Sequence, residues 1–155
     1  MANQRLNYLK GDLLMIYKGS CLCGEVTFKI EGDFDNFYLC HCERCRKDTG
    51  SAHAANLFSS TAKLRWLSGQ DKTKTFNFRL EGHIKSFCTN CGWALPNIQM
   101  DGRLLVVPAG CMDNDINIKP QGHIFYASKA NWDTDLEKAP KFQELPNGYN
   151  KNQEW

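Results

Sequence analysis

The sequence lacks a long apolar run. Residues Met1 to Gly19 show no basic start followed by an apolar core, and the longest apolar stretch there, Leu13-Leu14-Met15-Ile16-Tyr17, follows Gly11-Asp12 and is too short for a leader. No segment approaches the roughly 20 apolar residues that a membrane-spanning helix needs. An excess of one charge is also missing: Lys+Arg 19 against Asp+Glu 17 leaves a net charge of +2, which argues against a nucleic-acid or membrane-surface partner. There is no repeat, no low-complexity tract, no linker and no long amphipathic helix. A chain of 155 residues with 42% hydrophobic and 23% charged residues suits one soluble domain around one core.

What the sequence has in excess is cysteine, eight in all. Exported proteins use such a number for disulfides. Reduced thiols on a metal are the other explanation, and the clustered spacings favour it. With no export signal, the expected setting is reducing and cytoplasmic.

The thiols fall in three blocks. Gly19-Ser20-Cys21-Leu22-Cys23-Gly24 is a tight C-x-C turn. In an extended backbone residues i and i+2 point the same way, so both sulfurs can face one ion. Cys40-His41-Cys42-Glu43-Arg44-Cys45 places three thiols within six positions. Phe87-Cys88-Thr89-Asn90-Cys91-Gly92 is a C-x-x-C turn closed by glycine, the usual shape of a zinc knuckle. Between the blocks lie short strands. Val26, Phe28 and Ile30 alternate with polar residues, and so do Phe76, Phe78 and Leu80, each predicting a half-buried strand. Ala52 to Phe58, Leu64 to Leu67, His83 to Cys88 and His123 to Ala127 read as further strands. Asp101-Gly102 predicts a two-residue hairpin between Ile98–Met100 and Arg103–Val107. A helical turn and loop are expected after Cys45. From Trp132 on, a loosely packed tail is expected, pinned by Trp132 and Phe142. The fold class is therefore mainly β with little helix and two zinc sites.

Cys21, Cys23, Cys88 and Cys91 are two two-ligand halves that join into a closed, structural four-thiolate zinc site. Cys40, Cys42 and Cys45 are too close together to serve different sites. They form a second, more labile zinc site with an open position, which is what distinguishes a catalytic centre. Water, a substrate thiol or Cys111 could take the fourth position. A buried thiol acting as a small hydrophobe is the plainer role for Cys111. His41 sits between two ligands and points the other way in an extended segment; His53, His83 and His123 read as packing or surface residues. Cys88–Cys91 lacks the βαβ surroundings of a redox dithiol.

These blocks carry a resemblance. Gly-Ser-Cys-Leu-Cys-Gly at 19–24, Cys-His-Cys-Glu-Arg-Cys-Arg-Lys-Asp-Thr-Gly-Ser at 40–51 and Phe-Cys-Thr-Asn-Cys-Gly at 87–92 are similar to the glutathione-dependent formaldehyde-activating enzyme family, also called the centromere protein V family. Val-Pro-Ala-Gly-Cys-Met-Asp at 107–113 and His-Ile-Phe-Tyr-Ala-Ser-Lys-Ala-Asn-Trp at 123–132 resemble its later blocks. The resemblance implies a β-tent, two antiparallel sheets meeting at an angle, with Cys21, Cys23, Cys88 and Cys91 structural and Cys40, Cys42 and Cys45 on the catalytic zinc. It implies condensation of formaldehyde with the thiol glutathione, a carbon–sulfur lyase activity. The expected organisation is an extension over 1–16, the family domain over 17–146 and a tail over 147–155; Met15 is an alternative native start. Trp93 stands where the family usually carries a small or polar residue and Cys111 where it usually carries Ser or Thr, and both are expected to reshape the pocket. Arg44, Arg46 and Lys47 are candidates to steer glutathione's carboxylates. Two other readings follow from the same residues: this chemistry on another thiol or aldehyde, and a zinc-stabilised interaction module without turnover.

Overall fold

The computed structural model describes residues 8–9, 12–78 and 82–146. Leu80, Glu81 and the tail over 147–155 lie outside the described residues, as does the chain before Tyr8. In chain order the strands are β1 (Tyr8–Leu9), β2 (Asp12–Leu13), β3 (Ile16–Ser20), β4 (Thr27–Glu31) and β5 (Asn36–Cys40). The helix α1 (Glu43–Thr49) follows, then β6 (Ala54–Ser59), β7 (Lys63–Ser68), β8 (Thr73–Phe78) and β9 (His83–Cys88). The chain closes with β10 (Ala94–Leu95), β11 (Asn97–Gln99), β12 (Leu104–Pro108) and β13 (Gly122–Ile124). Among the described residues no helix is long and apolar enough to cross a membrane.

Alternation drives the first sheet, ordered β3-β4-β7. Val26, Phe28 and Ile30 are wholly buried, and Phe28 meets Trp66 of β7 edge-on at 5.9 Å. Close approach fixes Gly19 on β3: a Cβ there would lie 2.2 Å from Phe28 Cζ and 2.5 Å from the Cys111 carbonyl oxygen. Gly19→Ala is therefore expected to cost about 3 kcal/mol, the upper range for overpacking, because one of the two obstacles is backbone. A urea midpoint unchanged from the parent would count against this packing account.

The second sheet is ordered β11-β12-β6-β5-β13, antiparallel except for the parallel pair β13–β5. Leu105, Val106 and Val107 of β12 are all buried, as a run flanked on both sides must be. The third sheet is ordered β10-β9-β8, and β1 and β2 form a small hairpin. The protein is thus mainly β, with several antiparallel sheets and, among the described residues, one short α-helix and a few 3-10 turns.

Three expectations are corrected. The strand carrying Phe76 and Phe78 is present, but as an edge strand whose two rings are 55% and 40% exposed and stack on each other at 6.3 Å. The turn between β11 and β12 spans four residues instead of two, with Met100 and Asp101 left-handed as well as Gly102. Trp132 and Phe142 do not pin the C-terminal segment, being 58% and 62% exposed; Ala130 and Asp133 are the buried residues there.

Candidate metal centres and cleft

Two glycine-assisted turns build the first cysteine group. Gly24 donates to the Cys21 carbonyl at 3.0 Å and Gly92 to the Cys88 carbonyl at 2.8 Å. Both glycines are left-handed, with φ 75° and 73°, a conformation that costs glycine little. The turns bring the sulfurs of Cys21, Cys23, Cys88 and Cys91 within 4.8 Å of one another. Cys21 to Cys23 is 3.4 Å and Cys23 to Cys88 is 3.9 Å. A tetrahedron with zinc–sulfur bonds of about 2.3 Å has edges near 3.8 Å, so this donor set fits zinc. Burial pushes the Cys21 thiol up to about 11, while hydrogen bonds from the Asn90 side chain and the Glu25 backbone draw Cys23 down to about 6. The group brings the end of β9 beside the turn between β3 and β4, where two sheets meet.

The second group sits where β5 ends and α1 begins. Cys40 closes the strand, Cys42 caps the helix, and Cys45 lies in its first turn. Their sulfurs also lie within 4.8 Å of one another. The Cys45 N–H donates to Cys42 Sγ at 3.4 Å. Burial raises the Cys40 thiol, and burial with the neighbouring thiols raises Cys45 strongly. Burial pulls Cys42 the same way, but the Cys45 N–H, the two neighbouring thiols and the Arg44 charge outweigh it and leave this thiol below its ordinary value. Since a metal must displace at least the protons held by Cys40 and Cys45, its affinity here is expected to fall at least about 100-fold per pH unit below neutrality. Competition with a chelator across pH measures this; a flat profile would contradict the assigned protons.

Cys40, Cys42 and Cys45 open onto a cleft of about 700 Å³ between the second and third sheets, flanked by α1. This volume suits a small organic ligand. Of the three basic candidates near the group, Arg44 lines the cleft, whereas Arg46 and Lys47 do not. Lys47 pairs with Glu43 on the solvent side of α1 at 3.0 Å. Trp93 and Cys111 do line the cleft. Cys111 is not drawn into the second group; its thiol donates to the Pro108 carbonyl at 2.9 Å, and burial pushes it up to about 12.

Sequence reasoning missed several residues. His83 and Lys85 of β9 line the cleft and share the Asp48 carboxylate, at 2.9 and 2.5 Å. Phe125 stands at the cleft with a left-handed backbone, φ 51°, unusual for a bulky residue. His41 is buried and points away from the cysteines, as expected, but into a cluster: Nδ1 lies 2.7 Å from Asp133 Oδ2, and Nε2 lies 2.7 Å from His123 Nδ1. His53, which burial and the His41 charge hold below the ordinary histidine value, sits 5.2 Å from the His41 ring. No local motif announces these contacts.

A mainly β scaffold with one closed four-thiol group and one open three-thiol group beside a cleft is a protein fitted to hold two metal ions. This chain belongs to the glutathione-dependent formaldehyde-activating enzyme family, whose pattern matches residues 16–128. A Halomonas elongata protein bearing the provisional name of glutathione-dependent formaldehyde-activating enzyme is 29% identical over 125 residues, covering 76% of this chain and 80% of that one. The crystal structure of a Rhodobacter sphaeroides protein has a similar fold at 23% identity, with a TM-score of 0.50, covering 68% of this chain and 98% of the other.

Proposed function

We propose that this protein is a zinc-dependent cytoplasmic enzyme of the carbon–sulfur lyase type that joins formaldehyde to glutathione as an S-hydroxymethyl adduct. The observation that carries the reading is the three-thiol group at the wall of a cleft large enough for a small organic ligand. Cys21, Cys23, Cys88 and Cys91 hold a structural zinc, and Cys40, Cys42 and Cys45 hold a second, labile one, within a domain over 17–146. When bound at the second group, zinc would lower the pKa of a substrate thiol so that it reacts as thiolate near neutral pH.

The reaction forms a C–S and an O–H bond as the S–H bond and the carbonyl π bond break. The sulfur lone pair attacks the carbonyl carbon, the π pair of the carbonyl moves to oxygen, and the thiol proton ends there. The chain's own contribution is placement, which converts an encounter between two dissolved reactants into one between held neighbours. Arg44 and Lys85 offer cationic groups to the carboxylates of glutathione from the cleft wall, and Asp48 fixes Lys85 and His83 in position. Trp93 supplies an apolar face to the thiol's carbon skeleton.

NMR exchange between formaldehyde hydrate and S-(hydroxymethyl)glutathione tests the proposal. Because the adduct forms unaided, the expected result is acceleration above that background. No acceleration with both metal groups filled would overturn it. Trp93→Ala is expected to raise KM for the thiol about tenfold with kcat little changed, the pattern of lost uniform binding. A thiol panel at fixed aldehyde then separates glutathione from another thiol: a different preferred thiol would move the specificity while leaving the chemistry.

A further inference from the structure

Of the three residues that span the second cysteine group from Cys40 to Cys42, two are candidate ligands and the third is His41. Cys40 is held by sheet pairing, facing Ala54 on β6 and Ile124 on β13. Cys42 is held by its helix, its carbonyl accepting from the Arg46 N–H at 3.0 Å. Strand and helix are separate bodies, and His41 is the one residue between Cys40, which ends the strand, and Cys42, the N-cap of the helix. The angle at which the first two sulfurs face a common ion therefore depends on how His41 is fixed.

The structure fixes it from several sides. The His41 N–H donates to the Ile124 carbonyl at 3.0 Å. Its ring, 1% exposed, lies between Asp133 Oδ2 and His123 Nδ1, each 2.7 Å from a ring nitrogen. The Tyr126 ring meets it edge-on at 5.2 Å. Asp133 is itself 8% exposed and is carried by a loop folded on itself, its N–H donating to the Ala130 carbonyl at 3.1 Å. A buried carboxylate and a buried imidazole are expensive unless they meet, so their meeting here holds the loop against the junction.

We propose that the Asp133–His41–His123 chain, buried at Asp133 and His41, is a positioning device for the second metal group: it locks the backbone between Cys40 and Cys42 at the angle that metal binding needs. The ring touches neither the cleft nor a reacting atom, so Asp133 and His123 are positioning residues. Groups that orient metal ligands from behind typically change metal affinity 10- to 100-fold when removed. The inference rests on the reading of Cys40, Cys42 and Cys45 as a metal group, and affinity can be measured whether or not the protein turns over substrate.

The experiment titrates the full chain with Co²⁺ and with Zn²⁺ against a competing chelator, following the thiolate-to-cobalt absorption of each group. The parent chain is expected to take two ions. Asp133→Ala is expected to weaken the second ion at least tenfold and shift its absorption, with the first ion and the thermal midpoint nearly kept. Asp133→Asn, which retains an oxygen acceptor toward His41, should restore affinity to within about threefold of the parent. His123→Ala, changed at the exposed end of the chain, should weaken the second ion several-fold, and it decides the matter if Asp133→Ala does not fold. Unaltered second-ion affinity in a folded Asp133→Ala or in His123→Ala would overturn the proposal. So would equal weakening of both ions, the mark of a general structural role. A parent chain that takes one ion would overturn the metal reading and this inference with it, whereas two ions with no effect of the substitutions would overturn this inference alone.

Discussion

A Cys88→Ser chain is expected to lose its cooperative thermal transition. Cys88 is fully buried, ends β9, and lies within the core that includes Leu95 and Cys21. Its sulfur is one of four that join the turn between β3 and β4 to the third sheet. Zinc bound by such a set contributes about 10–16 kcal/mol of folding free energy in small zinc-dependent peptides. A whole domain of ordinary stability has about 5–15 kcal/mol to lose. Serine is a poor zinc ligand, and its hydroxyl would be left buried at a site built for thiolates. Removing one ligand of four therefore threatens the entire margin.

Cys111→Ser supplies the contrast. Cys111 is as buried as Cys88 but belongs to neither metal group, and its thiol donates to the Pro108 carbonyl, a bond a serine hydroxyl can also make. Its expected cost is about 1–2 kcal/mol, ordinary for a small polar change in a core. Circular dichroism and thermal melts of the two variants side by side separate ligand loss from burial. A Cys88→Ser midpoint equal to the parent's would remove the structural zinc from the account.

What was legible in the sequence was legible because it is local. C-x-C and C-x-x-C spacings act over a few residues, so each two-ligand half could be recognised alone, and joining the halves needed only the separation of Cys40, Cys42 and Cys45 from the rest. Alternation likewise marked Val26, Phe28 and Ile30 as a buried face. It marked Phe76 and Phe78 in the same way, yet those rings face solvent, because alternation records which residues share a face and not whether anything covers it. The hairpin turn at Asp101-Gly102 was legible but its length was not, because Met100, which no turn rule favours, also takes a left-handed position and draws the turn out to four residues. For His41 the direction was legible and the destination was not. Its partner His123 lies 82 residues further along the chain, reached through the parallel pairing of β13 with β5, and no short motif encodes that pairing. The exposed Trp132 drew notice in the C-terminal segment, but the buried anchor is Asp133 beside it, a charged residue that hydrophobic patterning passes over.

Replacing Cys42 should separate chemistry from structure most sharply. Cys42 is the N-cap of α1, with Sγ accepting from the Cys45 N–H. Serine is among the preferred residues for that position and can accept the same hydrogen bond, so Cys42→Ser deletes a thiolate while leaving the helix start intact. The four-thiol group is untouched, and the fold should survive with a midpoint within about 5 °C of the parent, the shift expected for a change near 1–2 kcal/mol in a chain of this size. Two thiolates, Cys40 and Cys45, then remain at the second group, and bound zinc should fall from two ions per chain to one. Cys42 is also the thiol of the three whose surroundings favour ionisation, so its loss removes the donor most ready to take a metal at neutral pH. Acceleration of the exchange between formaldehyde hydrate and S-(hydroxymethyl)glutathione is expected to fall by at least about 100-fold, to the uncatalysed background, because the metal would be lost along with the placement it provides. A folded Cys42→Ser chain with one zinc and full acceleration would place the chemistry outside the three-thiol group. A folded chain with two zinc ions and no acceleration would show instead that Cys42 acts in the reaction itself and that Cys40 and Cys45 suffice to hold the ion.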